Sequence, residues 1–405
     1  MERTADSGGP RASLLAPGDD VATALHALRA GTALRLAAGS VVRDVTLQED
    51  VPFGHKFAVR ALAQGMRVRK YGEFIGRTTA DVAAGAWVHD QNLVTSARPS
   101  ADRERAWRDA APPADLRALG PSRTTVGECP IYDAKRGRLW WIDVRETPAI
   151  HALDLATGGE QRWPMKEDIG ALVSASDGRL LAGLRSGFAW VEPETCKLLP
   201  IADPEPDAPQ RRLNEGKCDA AGRLWCGSMN PESAIAEGNV YVLDHTLRWR
   251  RVDGGWLTPN GFTWSRDGRT MYSADTRRGL VYAADYDVAT GTAGARRVFA
   301  DLGAFPGGPD GATVDADGFL WWAQFEGGCL IRFAPGGAID RVVRLPASRP
   351  TSCTFGGAGY RCLFVTTATR GLDAARLAAE PLAGRVLELD VGVAGMPAVP
   401  FAVGR

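Results

Sequence analysis

At 405 residues, with 45% hydrophobic and 24% charged side chains, the chain has the make-up of an ordinary globular protein of two or three domains. Basic and acidic residues number 48 each and no long basic run interrupts the sequence, so neither a nucleic-acid partner nor a membrane surface is expected. The seven cysteines are odd in number and form no Cys-X-X-Cys pair; with a polar N-terminal stretch and no apolar run of about 20 residues, they point to reduced thiols in a soluble, cytoplasmic protein.

Residues 1–15 are polar and are expected to be disordered. The stretch Asp19–Gly31 predicts a short amphipathic helix, capped by Asp and closed by Gly31. The short alternating or β-branched segments ALRLAA, VTLQEDV, KFAVRAL, RVRKYGEFIGRTT and AWVHDQNLV follow, separated by glycine turns, and predict a small β-rich domain over 16–96. Gly54-His55-Lys56, the run Tyr71–Arg77 and Gly85–His89, together with DDVATAL, resemble the SAF-type domain of the altronate/galactarate dehydratase family over roughly 14–96. The resemblance implies a β-clip-like fold. The large catalytic part of those dehydratases is absent, so dehydration is not implied. His55 and His89 are candidates for a metal or a sugar-acid carboxylate; the alternative is turn and core histidines bonded to backbone. Residues 97–119 are charged, rich in Ala and Pro, and read as a linker with a short helix over 102–110.

From Gly120 one pattern returns six times, as DAKRGRLWWIDV, ASDGRLLAGL, DAAGRLWCGSM, SRDGRTMYSAD, DADGFLWWAQF and GGAGYRCLFVTTA. Their turn glycines (137, 178, 222, 268, 318 and 359) lie 41 to 50 residues apart. A period of about 40–50 residues with several short strands in each is that of a β-propeller blade. The expected fold is therefore all-β, a six-bladed β-propeller over 120–405 preceded by the small SAF-type domain.

Loops at one end of a propeller's channel converge, and polar residues from different blades meet there. Glu128 in VGECPIYD, Asn260 in TPNGFTWSRDG and Asp310 in GGPDGATVDADG come from different repeats, each beside Gly or Pro and each expected just ahead of an inner strand. Hard oxygen donors of this kind suit a divalent cation whose shell is completed by water. Pro-Asn-Gly and Pro-Asp-Gly are also common turn sequences. What sets them apart is recurrence at equivalent places in successive repeats. No Gly-X-Ser-X-Gly is present, and His151 and His245 sit in outer-strand settings, which disfavours serine-nucleophile chemistry. The paired tryptophans are expected to pack blade against blade.

VGECPIYD, RLNEGKCDAAGRLWCGSMNPE, PNGFTWS, PDGATVDADG and RPTSCTFGGAGYRCLFVTTA are similar, in order, to the signatures of the SMP-30/gluconolactonase/LRE (regucalcin-like) family. That resemblance implies Glu128, Asn260 and Asp310 as metal ligands, and Arg212, Asn214 and Glu232 as contacts to a sugar substrate. Two departures stand out. The usual Arg-X-Asn-Asp is Arg-Leu-Asn-Glu, which puts Glu215 one carbon further out, and Gly-Thr-Met is Gly-Ser-Met. The expected activity is hydrolysis of a sugar lactone with one divalent cation (Ca, Zn, Mn, Mg or Fe(II)), Asp310 serving as ligand and as base for the attacking water. The alternatives are a non-catalytic protein that binds calcium or a sugar acid, and a propeller scaffold for protein partners.

Overall fold

The structure is a computed structural model that describes residues 12–70, 73–94, 113, 115–303 and 305–404. The chain divides into two compact units, Met1–Arg98 with Glu232–Ala236, and Pro99–Pro231 with Glu237–Arg405. The helix expected over 102–110 lies outside the described residues. No helix among the described residues is long and apolar enough to cross a membrane.

The first unit consists of short antiparallel strands. Ala12–Ser13, Val21–Ala24, Lys56–Ala58 and Trp87–Val88 form one sheet, Ala33–Ala38 pairs with Val41–Thr46, and Arg67–Lys70, Glu73–Thr78 and Leu93–Val94 form a third. In ALRLAA the burial alternates residue by residue, and Leu34, Leu36 and Ala38 join Phe57, Val45 and Val51 in the core. Two expectations are corrected here. Ala12–Ser13 is already a strand, so order begins before residue 16. The stretch expected to be helical is strand at Val21–Ala24. Asp20 does not cap a helix. It is buried, and accepts the Arg69 N–H (2.7 Å) and the Arg60 guanidinium (Nε, 2.9 Å), while Val21 and Thr23 pair with Ala58 and Lys56. These long-range partners and the β-branched side chains outweigh a weak helical pattern.

Among the described residues the second unit contains six antiparallel sheets in succession. Five are meanders in chain order, and the strand nearest the axis comes first in each: Gly127–Asp133, Ile169–Ser174, Arg212–Cys218, Pro259–Trp264 and Gly308–Val314. Each of these touches the next, and Pro350–Gly356 of the sixth sheet touches Gly127–Asp133 in turn, so the ring closes. Both chain directions build the sixth sheet. Pro350–Gly356, Cys362–Thr367 and Val386–Asp390 are completed by Arg117–Leu119, three residues expected in the linker. Arg117 Nε bonds Glu388 Oε2 (2.8 Å) across that seam.

The repeated turns have a physical cause. Asp219 Oδ1 accepts the N–H groups of Ala221 and Arg223, and Asp315 Oδ1 those of Asp317 and Phe319. The glycine inside each turn adopts a left-handed φ, 78° at Gly222 and 85° at Gly318, as such Asx-turns require. The strands these turns feed are second from the axis, and their tryptophans (Trp140, Trp141, Trp321 and Trp322) are fully buried between sheets. His151 is buried as well, stacked on Trp141 with Nδ1 3.2 Å from Glu160 Oε1.

The C-terminal segment returns across the sheets. Phe401 is fully buried, pairs in parallel with Ala175, donates its N–H to Ser174 O (2.7 Å) and packs edge-on against Trp190. Replacing Phe401 by Ala removes a buried ring and the clamp it forms. A loss of about 3–5 kcal/mol in denaturant-induced unfolding is expected; an unchanged midpoint and slope would show that the tail contributes no packing.

Candidate metal and substrate site

All six axial strands carry a register shift at the same level: between Glu128 and Ile131, Ile169 and Ala171, Leu213 and Gly216, Asn260 and Thr263, Pro309 and Ala312, and Pro350 and Ser352. A bulge leaves a residue out of the ladder and re-aims its side chain. Glu128, Asn214, Asn260 and Asp310 sit at or beside these bulges, on the axial strands themselves and not ahead of them as the sequence suggested.

In the fourth and fifth sheets a glycine sits inside the bulge. Gly261 has φ 62°, and a Cβ there would lie 2.5 Å from Trp322 Nε1 and 2.8 Å from Asp310 O. A Cβ on Gly311 would collide with Ser352. The Trp322 indole also donates to Asp310 O (3.0 Å), fixing the backbone that carries the carboxylate. Pro-Asn-Gly and Pro-Asp-Gly thus behave as close-approach points between neighbouring sheets rather than as exposed turns.

Four polar side chains form a continuous hydrogen-bonded line across the third, fourth and fifth sheets. Arg212 Nη1 donates to Asn214 Oδ1 (2.7 Å), Asn214 Nδ2 to Asn260 Oδ1 (2.6 Å), and Asn260 Nδ2 to Asp310 Oδ1 (2.6 Å). All four are buried, as is Glu128. Arg212 Nε is a buried N–H without a hydrogen-bond acceptor, 3.8 Å from Asp168 Oδ2, and Arg212 Nη2 reaches only Met229 Sδ at 3.8 Å. One edge of this guanidinium therefore has donor capacity left for a ligand. Glu232 is exposed, in the 232–236 segment that groups with the first unit.

Glu215 and Lys217, on the same axial strand as Arg212, complete the electrostatics. Glu215 is buried and its Oε2 accepts the Gly261 N–H, which is how the longer side chain at this position is used. Lys217 Nζ donates to Ala312 O. Lys217 was missed in the sequence, although its alternation with Glu215 on a strand that is otherwise buried was a usable signal. Burial, and then repulsion from Glu215, pushes the Glu128 carboxyl up to about 8. Burial raises Glu215 to about 7 against the opposing pull of Lys217. Burial and the charges of Glu128 and Glu215 hold Asp310 well above the usual carboxylate range. Arg212 is pushed down by its own burial to about 10 and remains cationic at neutral pH.

Three buried carboxylates thus share a channel with too little positive charge around them. Among the described residues no three His, Cys, Asp or Glu side chains form a metal cluster by themselves. The candidate donor set is instead two carboxylates and an amide, all with oxygen donors, which together with the uncompensated charge fits a hard divalent cation. His55 and His89 lie next to one another in the first unit, with ring centroids 5.1 Å apart.

Residues 126–369 match the SMP-30/gluconolactonase/LRE-like region, and residues 11–96 the altronate/galactarate dehydratase SAF domain. Regucalcin of Gallus gallus is 33% identical over 298 residues, 71% of this chain and 98% of its own length. The 6-deoxy-6-sulfogluconolactonase of Pseudomonas putida is 30% identical over 288 residues, 71% of this chain and 98% of its own length. Among solved structures, a calcium-binding regucalcin from Agrobacterium tumefaciens superposes with a TM-score of 0.68 at 28% identity, covering 72% of this chain and 98% of that one.

Carboxylates of the unfolded chain ionise near 4.5, whereas folded Glu128 keeps its proton up to about 8. Between those values unfolding releases protons, so rising pH destabilises the cation-free fold. Chelator-treated protein is expected to melt at a lower temperature at pH 8 than at pH 6, and added Ca²⁺ or Mn²⁺ to raise the pH 8 midpoint the more. A midpoint that climbs from pH 6 to pH 8 without cation would contradict this reading of the site.

Proposed function

The chain belongs to the SMP-30/gluconolactonase/LRE-like family, and from that membership we propose that it is a metal-dependent sugar lactonase built on a six-bladed propeller, opening an aldono-1,4- or 1,5-lactone (glucono-, galactono-, xylono- or arabinonolactone) to the aldonic acid. Lactone hydrolysis is the activity that its lactonase-named relatives share, and the chain is a hydrolase of that class. The observation that carries the finer reading is the buried line Arg212–Asn214–Asn260–Asp310 beside Glu128.

Glu128, Asn260 and Asp310 would hold the cation. When bound, it supplies Lewis-acid polarisation of the lactone carbonyl and stabilises the charge that develops on oxygen, an effect worth several kcal/mol. The remaining work falls to the chain. Arg212 offers its Nε/Nη2 edge to substrate oxygens, and Asn214, clamped between Arg212 and Asn260, fixes the angle of that edge. Water adds to the carbonyl carbon as Asp310 takes its proton on Oδ2, the oxygen that Asn260 does not engage. The bond from carbonyl carbon to ring oxygen then breaks, and the same proton passes to the departing oxygen, giving the hydroxy acid. Glu215 keeps the Asn260–Gly261 backbone in place through its bond to the Gly261 N–H.

A panel of sugar lactones, assayed by acid release on metal-stripped protein resupplied with single cations, tests the proposal. Turnover is expected only with cation, and Asp310→Asn should lower kcat by about a thousandfold or more while circular dichroism stays native. Arg212→Gln is expected to act mainly on kcat/KM, by about tenfold to a hundredfold. Cation binding with no turnover of any lactone would instead favour a calcium-binding role like that of the Agrobacterium relative, a calcium-binding protein.

A further inference from the structure

The mouth of the axial channel carries positive charge that hydrolysis of a neutral lactone does not use. Gly127 pairs with Asp143, Ile169 with Leu184 and Arg212 with Met229 in the first rung of their ladders. Arg145, Asp168, Arg185 and Arg212 therefore lie at the end of the axial strands that holds Glu128. The Ile169 N–H donates to Val144 O (3.1 Å) and the Arg185 N–H to Asp168 O (3.0 Å), which sets the loops of the first two sheets side by side.

Asp168 is where the guanidiniums meet. Its Oδ2 accepts Arg185 Nη2 at 2.6 Å and lies 3.8 Å from Arg212 Nε. One carboxylate oxygen thus serves two cations, and Arg145 and Arg185 both act on Arg212 as like charges. The neighbouring acids are committed elsewhere: Glu146 pairs with Arg370 (3.1 Å), and Glu167 accepts the N–H and the hydroxyl of Ser186 (2.8 Å each). Other arginines at this end have a carboxylate of their own, Arg211 with Glu205 (3.2 Å) and Arg349 with Glu326 (3.1 Å).

A purely structural role accounts for part of this, since Arg185 Nη1 also bonds Pro209 O (3.2 Å) and so ties down a loop. It does not account for the donors left over. Arg212 Nε is buried without an acceptor, its side chain only 7% exposed. The Arg185 side chain is 34% exposed, and its Nε has no hydrogen-bond acceptor among the described residues. Two guanidinium edges short of acceptors, beside one shared carboxylate, match the planar, bidentate recognition of an oxyanion.

We propose that the lactone taken by this site carries a second, anionic group (carboxylate, sulfonate or phosphate) away from the lactone carbonyl, and that Arg185 and the Nε/Nη2 edge of Arg212 hold it while Arg145 adds attraction at longer range. The inference rests on the lactonase reading and adds a preference within it: neutral aldono-lactones are the poorer substrates.

Cation-loaded, full-length protein tests this by acid release from paired lactones of equal ring size. Glucaro-1,4-lactone is compared with glucono-1,4-lactone, and 6-phosphoglucono-1,5-lactone with glucono-1,5-lactone; the larger of the two preferences distinguishes a carboxylate from a phosphate ester. The anionic member is expected to have the higher kcat/KM by about tenfold or more. Arg185→Gln should cut that ratio by about tenfold and Arg185→Lys by less. Arg145→Gln, a second variant that leaves the Arg185–Asp168 bond in place, should lower it about threefold through charge alone. Parity between the members of both pairs, or a ratio that Arg185→Gln and Arg145→Gln leave unchanged, would overturn the proposal. If no lactone is hydrolysed, the lactonase reading fails by itself, and calorimetry on the same protein decides the present one. Glucarate should then bind more tightly than gluconate, with the difference lost in Arg185→Gln; equal affinities would refute it.

Discussion

Repulsion among Glu128, Glu215 and Asp310 is the constraint on which the second unit turns. Burying one carboxylate without a partner is costly, and burying three around one axis compounds the cost: Glu215 raises the proton affinity of Glu128, and both raise that of Asp310. Arg212 and Lys217 offset part of this charge, but each is also committed to neutral acceptors, Asn214 and Ala312. A fold that keeps such a cluster has a use for it, and a dication with oxygen ligands turns mutual repulsion into shared attraction.

The ring geometry is what lets the cluster exist. Six axial strands bulge at one level, and side chains from separate sheets are thereby turned toward the same point. The close contacts at Gly261 and Gly311, the Trp322 bond to Asp310 O and the Glu215 bond to the Gly261 N–H all act on this level. Stiffness here has a chemical purpose, since groups that stabilise a developing charge are most effective when they need not reorganise. The seam of Arg117–Leu119 with Val386–Asp390 and the tail anchored at Phe401 hold the ring together from both directions of the chain.

Much of this was legible in the sequence because its signals are local. The Asp-X-X-Gly turns state their own geometry in Asp219, Gly222, Asp315 and Gly318, and the spacing of the glycines marks out successive groups of short strands. Glu128, Asn260 and Asp310 stood out through their Pro and Gly neighbours. What escaped depends on contacts between residues far apart in the chain. Val21–Ala24 follows a helical pattern until the Asp20 bonds to Arg60 and Arg69 are known. Arg117–Leu119 carries no strand signal without Glu388 opposite it. The bulges are a property of neighbouring strands in register, so the axial strands were assigned one strand too late and Lys217 was passed over. Glu215 was visible only as a departure from a motif, and its bond to Gly261 could not be read from spacing.

Locating the cation is the decisive measurement. In crystals grown with Mn²⁺, anomalous scattering is expected to give one strong peak at the ring axis, about 2.0–2.5 Å from oxygens of Glu128, Asn260 and Asp310. A peak elsewhere, or an axis without one where Glu128 and Asp310 instead share a proton, would contradict the claim that these carboxylates are kept together for a metal.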